Sequence, residues 1–211
     1  MSKKSTREEA EELAYASAQK QLRAADPTAV AERSGAELST GDEGQYLKIP
    51  FLNRHYRVLL PDATVRDDAG EEPPLVRRVL ILHHLIQAHG TGLAGRWVDF
   101  RSIPGGVAYH PVFRGRIISR LVRMFGERPQ ALIEAAAPLG GRPIEMADVG
   151  VEIPAFPRVP VVFALWEASE EFGPEGTVMF DDSLPAYLET EDAIVVCEEI
   201  LGEMKNYAQN I

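Results

Sequence analysis

Cysteine is nearly absent from this chain of 211 residues, where Cys197 is the one thiol. That excludes an intrachain disulfide and any four-cysteine zinc or iron–sulfur site. Positive charge is scarce as well, with 22 Lys and Arg against 32 Asp and Glu and a formal net charge of −10. A general nucleic-acid binder needs a basic footprint, so that class is set aside. No apolar run reaches the ~18 residues of a membrane-spanning helix, so no membrane association is expected. The opening MSKKSTREEAEE has no apolar h-region, so no secretory signal and a cytoplasmic location are expected.

What is present is concentrated between Leu75 and Phe125. In Leu75–His89, Leu75, Val79, Leu82 and Ile86 recur at helical spacing, and Val76, Leu80 and His83 form a neighbouring stripe. The arc is apolar almost all round, which marks a helix buried on several sides. Pro73 and Pro74 suit its start and Gly90 its stop. His83, His84 and His89 lie on it, but no two stand at i,i+4, so a purely local metal site fails and none is assigned. One of them could serve as a single axial ligand. The competing reading makes His83 a hydrogen-bonded core residue and puts His84 at the margin.

Trp97, Phe100, Tyr109 and Phe113 fall in the glycine-rich stretch 90–113. There Pro104-Gly105-Gly106 reads either as a tight turn or as a loop that lets a ligand approach the backbone. In Phe113–Phe125, Arg116, Arg120 and Arg123 stand at i, i+4 and i+7 on one predicted helical face. From Arg96 to Arg128 there are seven arginines and no lysine, against Asp99 and Glu127. That segment carries +5 and leaves −15 for the rest of the chain. The guanidinium fork suits carboxylate and phosphate, so an anionic ligand is one reading. A solvated face paired with the acidic body is the other.

The remaining pattern predicts an α+β fold. Peripheral helices are expected over 1–44, from Thr6 to about Ala25 and from Asp26-Pro27 to Arg33, followed by a loop from Gly35 to Gly44. A main α+β domain is expected over 45–211. A hairpin is predicted over Gln45–Asp62 with its turn at Asn53-Arg54, then an acidic loop over Ala63–Glu72. A helix is predicted from Arg128-Pro129 to about Pro138. Strands follow at Val149–Ile153, Val161–Trp166 and Thr177–Phe180, with an acidic loop at Glu167–Pro174. Asp181-Asp182-Ser183 reads as a helix cap before Leu184–Leu188, or as paired carboxylates for magnesium or acid–base work. Thr190 caps a last helix with the stripe Ala193, Cys197, Ile200 and Met204. A slight internal echo suggests two hairpin-plus-helix halves building one antiparallel sheet about a pseudo-twofold axis.

Six stretches together carry a family resemblance: PFLNRHYRV (Pro50–Val58), LILHHL (Leu80–Leu85), GRWVDFRSIPGGVAY (Gly95–Tyr109), FPRVPV (Phe156–Val161), LWEASEEF (Leu165–Phe172) and MFDDSLPAYLETED (Met179–Asp192). They resemble a family of strict anaerobes known only as a domain of unknown function. Some relatives look like fusions to a small iron–sulfur domain of the kind found in corrinoid proteins. With one cysteine this chain cannot carry that cluster. The resemblance implies an anaerobic setting and corrinoid or one-carbon chemistry, with no assigned catalytic residue.

The leading expectation is a binding or accessory protein for an anionic cofactor, a tetrapyrrole or corrinoid. Trp97, Arg101, Gly105, Gly106, Tyr109, His110, Arg116, Arg120 and Trp166 are its candidate contacts, with His83 or His84 as a ligating imidazole. The second is a protein-interaction module meeting an acidic redox or methyl-transfer partner through the arginine face and the N-terminal helix. The third is an enzyme in which Asp181, Asp182 and Glu171 converge with His83 or His84.

Overall fold

Hairpins account for most of the strand structure. In the computed structural model, which describes residues 6–208, the chain opens with helices α1 (Thr6–Arg23) and α2 (Pro27–Ser34). Strands β1 (Glu37–Gly41), β2 (Gly44–Phe51), β3 (Arg54–Leu59) and β4 (Thr64–Asp67) follow, and then α3 (Leu75–Gln87). Next come β5 (Trp97–Asp99), α4 (Gly106–Phe113), a π turn over Arg114–Ile118, α5 (Ser119–Phe125) and α6 (Ala131–Ala136). The chain closes with β6 (Arg142–Pro143), β7 (Val149–Phe156), β8 (Val159–Trp166), β9 (Glu175–Asp181) and α7 (Thr190–Ala208).

The α+β class holds, with antiparallel strand pairing throughout. The strands form two sheets rather than one, in the orders β1-β2-β3-β4 and β5-β9-β8-β7-β6. The first hairpin stays separate because β1 and β4 flank it on both edges. Both lie in stretches that read as loop, since edge strands this short and polar leave little periodic signal. The β2–β3 turn falls one residue earlier than predicted, on Leu52 and Asn53. Both have positive φ (50° and 60°), as a two-residue hairpin of this twist requires. At that turn the two sheets meet: the Leu52 amide donates to the Ala155 carbonyl at 3.1 Å, and Phe51 lies 4.7 Å from Phe156 between ring centroids.

Alternation explains which faces are buried. Leu47, Ile49 and Phe51 on β2 and Tyr56 and Val58 on β3 point into the core. On β8 every residue from Val159 to Leu165 is buried, as its unbroken apolar run predicts. Between the layers, α3 is tied to α7 by ions. Arg77 donates from Nε to Glu199 and from Nη2 to Glu203, both at 2.6 Å, and from Nη1 to the Tyr56 hydroxyl at 3.2 Å. Burial alone would lower the Arg77 pKa, but Glu199, Tyr56 and Glu203 outweigh it and raise it. The network therefore joins the first sheet, α3 and α7.

Candidate functional site

Two glycines set the direction of α4. Gly105 is left-handed (φ 74°), and the Gly106 amide donates to the Ile103 carbonyl at 2.9 Å. A Cβ on Gly106 would sit 1.8 Å from the Phe100 carbonyl oxygen, so only glycine fits. The pair is used in packing the turn. Before it, the Asp99 carboxylate accepts the Ser102 amide, the Ser102 hydroxyl and Arg101 Nε. Burial would raise the pKa of Asp99, but the Ser102 and Arg101 contacts prevail and hold it below the usual carboxylate value. Phe100 and Phe113 stack at 4.0 Å with ring planes 5° apart.

A cleft of about 700 Å³ opens between this wall, the π turn, α5 and β9. Arg101, His110, Arg114 and Arg123 line it together with Asp99 and Glu175, and the buried rings of Phe100 and Phe113 lie behind them. Arg101 is spoken for by Asp99, at 2.8 Å from Nη2. Among the described residues, Arg114 and Arg123 have no carboxylate within ion-pair distance. Two unpaired guanidiniums can take a carboxylate or phosphate, and the half-buried Ile118 and Val122 between them offer apolar surface.

A second groove, of about 560 Å³, lies between α1, α3, α4 and α7. His83 lines it, its Nδ1 donating to Asp192 at 2.9 Å. Gln87 Nε2 also donates to Asp192, at 3.2 Å, and Gln87 Oε1 accepts the Glu189 amide. The Asp192 hydrogen bond raises the His83 pKa against its burial, with the charges of Asp192, Glu189 and Glu191 adding to the rise. Arg116 reaches into this groove and stands 3.8 Å from Glu198.

His84, one residue on, is wholly enclosed. Its ring stacks on Phe156 at 4.1 Å, and its Nε2 donates to the Ser34 carbonyl at 3.2 Å. Nδ1 is buried without a partner. Burial pushes the pKa down to about 4, Ser34 opposing and Arg158 adding to the fall. The core and margin assignments of the two histidines are thus the reverse of those expected, and His84 offers no atom to a ligand.

The predicted contacts do not form one site. Arg101 and His110 share the cationic cleft. Tyr109, Arg116 and His83 share the other groove, and Arg120 points toward Gly202 on α7. The expected single arginine face is not kept. The π turn inserts one residue into the helical count, about 100° of phase, so Arg123 leaves the side of Arg116. Trp97 pairs with Asp181 and Trp166 with Glu175, opposite ends of β9 and about 20 Å apart at ~3.3 Å per residue. Asp181 accepts the amides of Ala94, Gly95 and Ser183 and the Ser183 hydroxyl. It thus anchors the loop before β5 rather than serving as a plain helix cap. Burial would raise its pKa, but those four donors outweigh burial and lower it. Asp182 pairs with Arg96. Among the described residues no three His, Cys, Asp or Glu side chains are grouped to hold a metal ion. Also among them, no helix is long and apolar enough to cross a membrane.

Sequence reasoning passed over Arg114, whose only signal was its place two residues before Arg116. It also passed over Asp192, hidden in the capping run Thr190–Asp192. A model of a protein family described as a domain of unknown function matches residues 26–203. The chain belongs to this family, DUF3786. No curated protein and no solved structure matches it. The DUF3786 span takes in every residue of the cationic cleft, while α1, one wall of the second groove, precedes it.

Proposed function

We propose that this DUF3786 protein binds an anionic organic ligand in the cationic cleft. The observation that carries the reading is the pair of unpaired guanidiniums, Arg114 and Arg123, on a chain of net charge −10. The cleft volume falls within the range of about 300–1,000 Å³ common for ligand pockets. Arg114 and Arg123 pair with the ligand's carboxylate or phosphate groups, Arg101 reinforces them while held by Asp99, and Ile118 and Val122 take the apolar part. His110 is the imidazole in reach.

A carboxylated tetrapyrrole or a phosphate-bearing corrinoid of anaerobic one-carbon metabolism is the class the sequence resemblance implies. The test is titration with hemin and with hydroxocobalamin, followed by visible absorption. The Arg114→Gln/Arg123→Gln double variant is expected to weaken binding by tenfold or more, with the melting temperature unchanged. Equal affinity in that variant, or no binding of either probe, overturns the reading. The open mouth of the cleft supports a second reading, in which the same arginines meet a carboxylate-rich redox or methyl-transfer protein. A salt-sensitive complex lost in the double variant, with no small molecule bound, distinguishes it.

A further inference from the structure

We propose that the groove between α1, α3, α4 and α7 docks a basic, amphipathic helical segment of another protein. Val76 and Val79 on α3 and Ile194 and Val195 on α7 supply its apolar lining. Val112 and Tyr109 on α4 are 42% and 45% exposed there, although both present large apolar surface. On the opposite wall α1 contributes Ala10 and Ala14. Large apolar side chains left bare along an apolar groove mark an interaction site.

Charge selects the occupant. Glu189, Glu191 and Glu198 line the groove, and the cation among its described lining residues, Arg116, already faces Glu198 at 3.8 Å. An acidic partner is repelled, and an uncharged one leaves Glu189 and Glu191 without a counterpart. A segment with lysine or arginine flanking an apolar stripe satisfies both the rim and the floor. The shape suits a helix: the lining runs from Val76 to His83 on α3 and from Glu191 to Glu198 on α7, about 10 Å along each at ~1.5 Å per residue, room for about two turns alongside.

The test uses the full chain and a fluorescein-labelled leucine–lysine amphipathic peptide of four turns, with binding followed by fluorescence anisotropy. Saturable binding is expected, weakened at least tenfold by Val112→Asp and by Glu191→Lys/Glu198→Lys. The same charge reversal at Asp42 and Glu43, in the turn between β1 and β2, should leave it within twofold. Circular dichroism melts confirm that the variants fold; Val112 and Glu191 are exposed, which keeps the test open if Glu198→Lys does not. Equal weakening by both reversals reduces the effect to net charge and overturns the proposal, as does indifference to Val112→Asp or no binding. Sedimentation velocity decides the remaining occupant. A dimer of the free chain that Val112→Asp dissolves makes a second copy the partner, and overturns it too.

Discussion

The enclosed imidazole of His84 makes the stability of this protein depend on pH in a defined window. Its folded-state pKa of about 4 lies below the unfolded value of 6.5. Between those values the unfolded chain binds more protons, so stability rises with pH there and falls as acid is added. From pH 7 to pH 5 the loss from this one group comes to about 2 kcal/mol, and its limit below pH 4 is about 3 kcal/mol at ~1.4 kcal/mol per pKa unit. His84→Phe keeps a ring against Phe156 and removes the titration. It also takes the donor from the Ser34 carbonyl, which costs about 1–3 kcal/mol at neutral pH. Urea unfolding of both proteins at pH 7 and pH 5, followed by circular dichroism, isolates the effect, because the carboxylates and His83 are common to both. The variant should be the less stable at pH 7 and lose about 2 kcal/mol less than wild type on moving to pH 5. Identical losses in the two proteins would refute the claim that His84 is held neutral by burial.

Arg77→Met should destabilise by about 3–5 kcal/mol in urea, because it strands the carboxylate of Glu199 and leaves the buried Glu203 with Arg54 alone. Adding Glu199→Gln and Glu203→Gln should recover part of that loss. Gly106→Ala should cost more than about 3 kcal/mol, since its methyl meets the Phe100 carbonyl at 1.8 Å; a neutral result would mean the turn relaxes freely. Asp192→Asn should lower the His83 pKa, read from the pH dependence of its imidazole proton shift. An unchanged titration would remove Asp192 as its cause. Its raised folded value contributes stability that is full below pH 6.5 and is lost as pH rises through the folded pKa, opposite in sign to His84.

Much of this architecture was legible in the residues. The apolar arc of Leu75–Gln87 and the unbroken run of β8 report burial on several sides, and each is enclosed as that pattern demands. Pro104-Gly105-Gly106 could be read as a turn, although the close approach of the Phe100 carbonyl depends on tertiary packing. β1 and β4 left too little alternation to be seen. The π turn leaves no mark in the spacing of the apolar residues, and with it went the division of the arginines between two clefts. Periodicity places His83 and His84 about 100° apart but cannot say which direction is inward. Nor can it find the Asp192 partner of His83, which lies 109 residues downstream. Arg101 and His110 fell in the cleft proposed for the ligand, whereas Arg114 was masked by the regular spacing of its neighbours.

The ionic clasp between α3 and α7 has a consequence for synthesis. Glu203 follows Arg77 by 126 residues, so a chain emerging from the ribosome carries the arginine long before its counter-ions. At ~5–20 residues per second the wait is about 6–25 s. The first sheet and α3 spend that interval without the final helix, while the second sheet, residues 97–181, is still being made, with an unpaired cation where the finished molecule has a clasp. Premature termination within α7 therefore removes the locking step itself, and such fragments should be marked for aggregation or proteolysis even though almost every other element is present.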